Sequence, residues 1–147
     1  MPKSLGGNRT DEVNLIEKWK KKKAQNFTES QYKYVETVDE LNSINPNEVH
    51  HLLGLFNPSH VSYNNSLPKT NRKEPTLREM SDMAIRVLSK YEKGFVLLVE
   101  GGRIDLASHG NGKFWLRFCL KFALNLVVQV TSDYNCPSFI YGHFPYS

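Results

Sequence analysis

Residues Phe95–Val99 form an unbroken apolar run, Phe-Val-Leu-Leu-Val, and this run most restricts how the chain can fold. A strand with one wet face alternates apolar and polar residues. A strand covered on both faces, as in a parallel sheet, is hydrophobic throughout. Gly94 precedes the run and closes a helical pattern, so helix, glycine and buried strand follow in the α/β manner. Immediately after come Glu100, Gly101, Gly102, Arg103, Ile104 and Asp105, with His109 four residues further on. Ligands of open α/β sheets gather beyond the carboxyl ends of the strands. Carboxylates and an imidazole delivered there by a glycine turn suit hard or borderline divalent cations. The same residues also suit plainer roles, Glu100 in a solvated turn and Asp105 as a helix N-cap.

Upstream, the helix signals are legible. Thr76…Glu79 is a capping-box pattern opening a helix whose apolar stripe is Leu77, Met80, Ala84, Val87, Leu88 and Tyr91. Thr37…Glu40 opens a shorter one. Asn45-Pro46-Asn47-Glu48 repeats the pattern with proline at the first helical position, which predicts a third helix ending at Gly54. His50 and His51 would lie on that helix, where neighbours in sequence do not face one site, so they read as surface or packing residues. Tyr34–Val38 is the other strand candidate before the tail. A parallel strand needs neighbours, and with so few the sheet is expected to be incomplete. Phe56–Pro75, rich in Asn, Ser, Pro and Lys, reads as a loop longer than compact domains keep without a function or an ordering ion.

Composition narrows the functional classes. Hydrophobic residues make up 39% and charged residues 23% of the 147, which fits a globular chain and excludes a disordered one. The net charge of +4 is local. Lys18 and Lys20–Lys23 form the wet face and end of an amphipathic helix carrying Leu15, Ile16 and Trp19. Without an accompanying motif that patch does not argue for nucleic acid, and a polybasic surface binder is the weakest of the options. Asn8-Arg9-Thr10, Asn26-Phe27-Thr28 and Asn64-Asn65-Ser66 are glycosylation acceptors by pattern. Cys119 and Cys136 could pair in an oxidising compartment but make no framework. Met1-Pro2-Lys3-Ser4 opens no apolar secretory stretch, so a chain made as written is expected in the cytosol.

Val99-Glu100-Gly101-Gly102-Arg103-Ile104-Asp105 resembles the metal-binding stretch of animal-type alkaline phosphatases. Further blocks resemble the same family in order. They are Thr10-Asp11 with Asn14-Leu15-Ile16 and Trp19, then Asn45-Pro46 with Leu52–Phe56, Pro58 and Tyr63, then Glu74–Leu77, Glu79-Met80 and Ala84–Lys90. The likeness spans residues 8 to 113. It implies a fragment of a three-layer α/β fold with a mostly parallel central sheet. It also implies phosphomonoester substrates, a homodimer in the full-length family, zinc and magnesium, and secretion or a lipid anchor at the cell surface. By the resemblance, Glu100 matches a magnesium ligand and Asp105 and His109 match ligands of one zinc. The backbone carbonyl of Phe56, and Glu74, match an additional calcium site. Asn57 stands where the family has a glutamate ligand there, which weakens that set.

The departures bear on activity. Leu106 and Ser108 stand where the family's histidine-rich run continues. The serine nucleophile, the phosphate-gripping arginine and the second zinc's ligands match nothing in these residues. Phosphoryl transfer depends on positioning and charge stabilisation, so the isolated chain is expected to be inactive, with no catalytic residue of its own. The alternative is a non-catalytic, calcium-ordered binding or structural module. Residues 114–147 change character. Arg117, Lys121, Asn125 and Gln129 mark one narrow polar stripe on a buried helix too short to cross a membrane, and Thr131–Ser147 reads as irregular. This tail is read as non-coding or frame-shifted sequence, with lineage divergence as the alternative.

Overall fold

The computed structural model describes residues 2–3, 7–103, 106 and 139–141. Helix α1 spans Leu15–Ala24 and is capped by Asn14, whose side chain accepts from the amides of Ile16 and Glu17. Strand β1, Tyr32–Val35, leads through Glu36 to helix α2, Val38–Asn42. Strand β2 is His51–Gly54, helix α3 is Leu77–Leu88 and strand β3 is Phe139–Tyr141. The three strands form one parallel sheet in the order β1-β2-β3. This is α/β architecture with an open sheet, as expected, although the apolar run is not one of its strands.

Both capping boxes form as read. Thr37 accepts from the Glu40 amide while the Glu40 carboxylate accepts from the Thr37 amide, and Thr76 and Glu79 reciprocate likewise. Each satisfies two of the orphan donors at a helix start. α3 then lays one stripe across the interior. Met80, Met83 and Val87 join Val35, Leu41, Ile44, Val49 and Leu52 in the main core cluster. Ala84 and Leu88 join Leu97 in a second cluster, with Phe95 and Val99 packed against it. Met83 belongs to the stripe although the sequence pattern passed over it, and Leu77, at the solvated first turn, is exposed rather than buried.

The expected helix from Asn45 to Gly54 is replaced by a turn and a strand. Asn45 caps a single turn, its Oδ1 accepting from the Asn47 amide and its Nδ2 donating to Glu48. The chain then leaves the helical path. The Gln31 carbonyl accepts from the amides of His50 and His51, and β2 pairs with β1 from Tyr32↔His51 to Val35↔Gly54. All of β2 is buried. A sheet partner and complete burial outweigh a capping signal worth only ~1 kcal/mol. Lys90 holds the turn in place, its Nζ donating to the carbonyls of Pro46, Asn47 and Val49. The other strand expectation, Tyr34–Val38, is shifted toward the amino terminus, because Thr37 and Val38 are already committed to α2.

The apolar run itself departs from its reading. Residues 95–99 form no continuous strand, and only Leu97 among them makes a single β-bridge. Burial alternates: Leu97 is 6% exposed, while Val96 and Leu98 are 58% and 85% exposed. One face packs on α3; the other faces solvent among the described residues. In the tail, Phe139–Tyr141 is a strand where irregular chain was expected, because β2 offers it a free edge. The buried-helix reading around Arg117–Gln129, Cys119 and Cys136 lies outside the described residues. No helix among the described residues is long and apolar enough to cross a membrane.

α1 meets the sheet through rings and lysine stems. Trp19 packs edge-on against Tyr32 at 6.0 Å, and Lys20 Nζ lies over the Tyr34 ring at 5.0 Å. Lys18, Lys21 and Lys22 are exposed, as the solvated-face reading required.

Candidate metal-binding segment and the loop against it

Glu100 follows the half-buried run and is exposed. A Cβ added at Gly102 would sit 3.7 Å from Glu100 Oε1, so the carboxylate lies over the glycine backbone. The Gly101-Gly102 turn thus leaves a hard oxygen ligand open to solvent, a donor that suits magnesium. Asp105 and His109 lie outside the described residues. Among the described residues no group of three or more His, Cys, Asp or Glu gathers to hold a metal ion.

Arg103 does what the sequence did not foretell. Its guanidinium stands 3.8 Å from the centre of the Tyr63 ring, which ties the Glu100 turn to the 56–75 loop. Its Nε is buried and makes no hydrogen bond among the described residues. The sequence signal was an Arg and a Tyr forty residues apart, which no local pattern connects.

The loop closes on Glu74. Glu74 Oε1 accepts from Asn57 Nδ2 at 2.8 Å and from Ser62 Oγ at 3.1 Å, and Oε2 accepts from the Ser62 amide at 2.6 Å. Asn57 Oδ1 accepts from the Ser59 amide at 2.8 Å. A backbone N–H can only donate, so this Asx turn fixes which way the Asn57 amide points, with its NH₂ toward Glu74. The motif Asn57-Pro58-Ser59 could have announced that turn; its consequence for Glu74 could not be read along the chain. Phe56 is half-buried and packs against the main core cluster, so the first residue of the loop is anchored by apolar contact.

This set does not fit calcium. The ion takes about six to eight oxygen ligands. Here the carboxylate faces N–H and O–H donors, and the neighbouring side chain presents an amide NH₂ rather than a second carboxylate.

The histidines pack, as expected, though at the start of the central strand β2 rather than on a helix. His51 is 8% exposed and sits edge-on to Phe27 at 4.5 Å. Lys23 Nζ donates to its Nδ1 at 3.1 Å, which places the ring proton on Nε2. Burial first, then the charges of Lys23 and His50, push His51 down to about 4. His50 Nδ1 and the Tyr91 hydroxyl share a hydrogen bond of 2.8 Å.

Comparison with known proteins gives one consistent family. The family model described as alkaline phosphatase matches residues 1–122. The chain is 50% identical over 108 residues to the membrane-bound alkaline phosphatase of Bombyx mori, covering 71% of the chain and 18% of that protein. It is 42% identical over 109 residues to the tissue-nonspecific isozyme of Felis catus, covering 74% and 20%. With the tissue-nonspecific isozyme of Gallus gallus it shares 42% over 129 residues, covering 86% and 24%. The chain therefore spans between 18% and 24% of the length of these relatives.

Proposed function

Because the chain belongs to the alkaline phosphatase family, we propose that it is the metal-binding middle segment of a phosphomonoester hydrolase, inactive as an isolated polypeptide. One observation carries the reading: the open Glu100 carboxylate folded over Gly102, in a stretch that keeps the family's ligand pattern. In this reading Glu100 holds magnesium, while Asp105 and His109 hold one zinc. Bound ions of this kind supply charge stabilisation at phosphoryl oxygens and activate a nucleophile or water.

The chain's own residues do the rest. The glycine turn aims Glu100 outward, and the Arg103–Tyr63 stack fixes the turn against the loop. Two protein ligands fall short of the three that a catalytic zinc keeps, and Leu106 and Ser108 supply none. Inactivity of these residues on their own follows.

The relatives' descriptions as membrane-bound and tissue-nonspecific isozymes support a cell-surface or extracellular setting. Asn8, Asn26 and Asn64 are all exposed, which suits glycosylation there. A homodimer, a lipid anchor and a division into a family segment at 8–113 and a divergent tail at 114–147 belong to the same proposal. A second reading, a non-catalytic binding or structural module, is favoured by the loop's closure around Glu74. That closure supports the module while leaving calcium out of it.

Two assays test the proposal. The isolated chain should show no phosphatase turnover with zinc and magnesium; turnover that disappears on His109→Ala would overturn its inactivity. A chimera placing residues 8–113 in the silkworm enzyme tests the ligand assignment. There, Glu100→Gln should remove magnesium stimulation, and undiminished stimulation would refute the role given to Glu100.

A further inference from the structure

We propose that the 57–74 loop is closed by a cation-free clasp, in which the Asn57 amide and the Ser62 N–H and O–H surround Glu74 in place of a divalent ion. The inference opposes the calcium site that family likeness implies, and it stands whether or not the phosphatase reading holds. Three donors converge on one half-buried carboxylate from positions 12 and 17 residues away. Charge-assisted bonds of this kind are about twice as strong as neutral ones. The Asn57 NH₂ carries the partial positive charge that a cation would bring, and the Ser59 amide locks it in that orientation. Arg72, two residues away, is taken up by Glu79, and neither it nor the adjacent Lys73 forms an ion pair with Glu74 among the described residues.

The clasp has a consequence for the metal-binding segment. Tyr63 follows Ser62 directly, so the bonds that fix Ser62 also fix the ring on which Arg103 rests. The loop can hold the Glu100 turn without any ion of its own.

Hydrogen exchange on the full 147-residue chain tests this, with calcium chloride at about 1 mM, the range that loads extracellular calcium modules, against a chelator. The Ser62 amide is the direct reporter, because it is itself a clasp donor. Exchange of the wild-type loop should be the same in calcium and in chelator. Protection that rises with calcium would overturn the proposal. Asn57→Glu sets two carboxylates against each other, so its loop should exchange about tenfold faster in chelator and slow again with calcium. Wild-type protection of that variant in chelator would also overturn the proposal. Should Asn57→Glu lose protection in α3 as well, Asn57→Ala decides: the Ser62 amide should exchange about tenfold faster, equally with and without calcium, and unchanged exchange refutes the clasp.

Discussion

Replacing Glu79 with Gln tests whether the start of α3 is held by charge. Glu79 receives both arms of the Arg72 fork, Nη1 to Oε2 at 2.7 Å and Nη2 to Oε1 at 2.5 Å. Its Oε2 also accepts from the Thr76 amide and hydroxyl, each at 2.7 Å. The Arg72 hydrogen bonds, then those from Thr76, hold its carboxyl down at about 2 against an ordinary 4.5, with desolvation working the other way. At roughly 1.4 kcal/mol per pH unit the ceiling on this contribution is about 3 kcal/mol. The side chains of Arg72 and Glu79 are 24% and 32% exposed, so solvent screening brings the expected effect to about 1–2 kcal/mol. Gln keeps a capping oxygen and nearly the same shape, so the loss reports the charge. The folded-state pKa is depressed, hence the stabilisation is present above pH 4.5 and fades as pH falls toward 2. Urea unfolding of wild type and Glu79→Gln, followed by Trp19 fluorescence, should differ by about 1–2 kcal/mol at pH 7 and converge near pH 2. A difference that stays constant across that window would refute the argument. So would full additivity of Glu79→Gln with Arg72→Met, since partners in one network do not act independently.

Leu41 is completely buried in the main cluster, so Leu41→Ala should cost about 2–5 kcal/mol in the same unfolding assay; a loss below about 1 kcal/mol would show that this cluster is not the core. His51 should titrate by NMR near 4, and Lys23→Met should raise that midpoint only part of the way to 6.5, because burial is the larger cause and remains. Its depressed pKa means that the neutral ring stabilises the fold above pH 6.5 and that this contribution is lost as pH falls toward 4. A midpoint that does not move on removing Lys23 would remove the charge contact from the account.

Several features were legible along the chain because local chemistry decides them. A capping box is a conversation between residues three apart, so Thr37–Glu40 and Thr76–Glu79 formed where their pattern stood. The stripe of α3 and the lysine face of α1 follow from helical period alone. Membership of the family was legible too, since the blocks stand in register from Thr10 to Asp105.

Tertiary structure decided what depends on partners distant in sequence. Asn45–Gly54 carried a helix signal, yet β1 offered a hydrogen-bonding edge and a dry face, and the backbone took both. The apolar Phe95–Val99 run implied cover on two faces. Only α3 covers it among the described residues, leaving Val96 and Leu98 exposed, because burial belongs to the neighbours as much as to the run. Whether Glu74 meets a cation or an amide turns on the orientation of Asn57, set by the Ser59 amide and by loop closure over 17 residues. Residue types along a chain name the possible ligands. The direction in which each donor points is settled only when the fold brings them together.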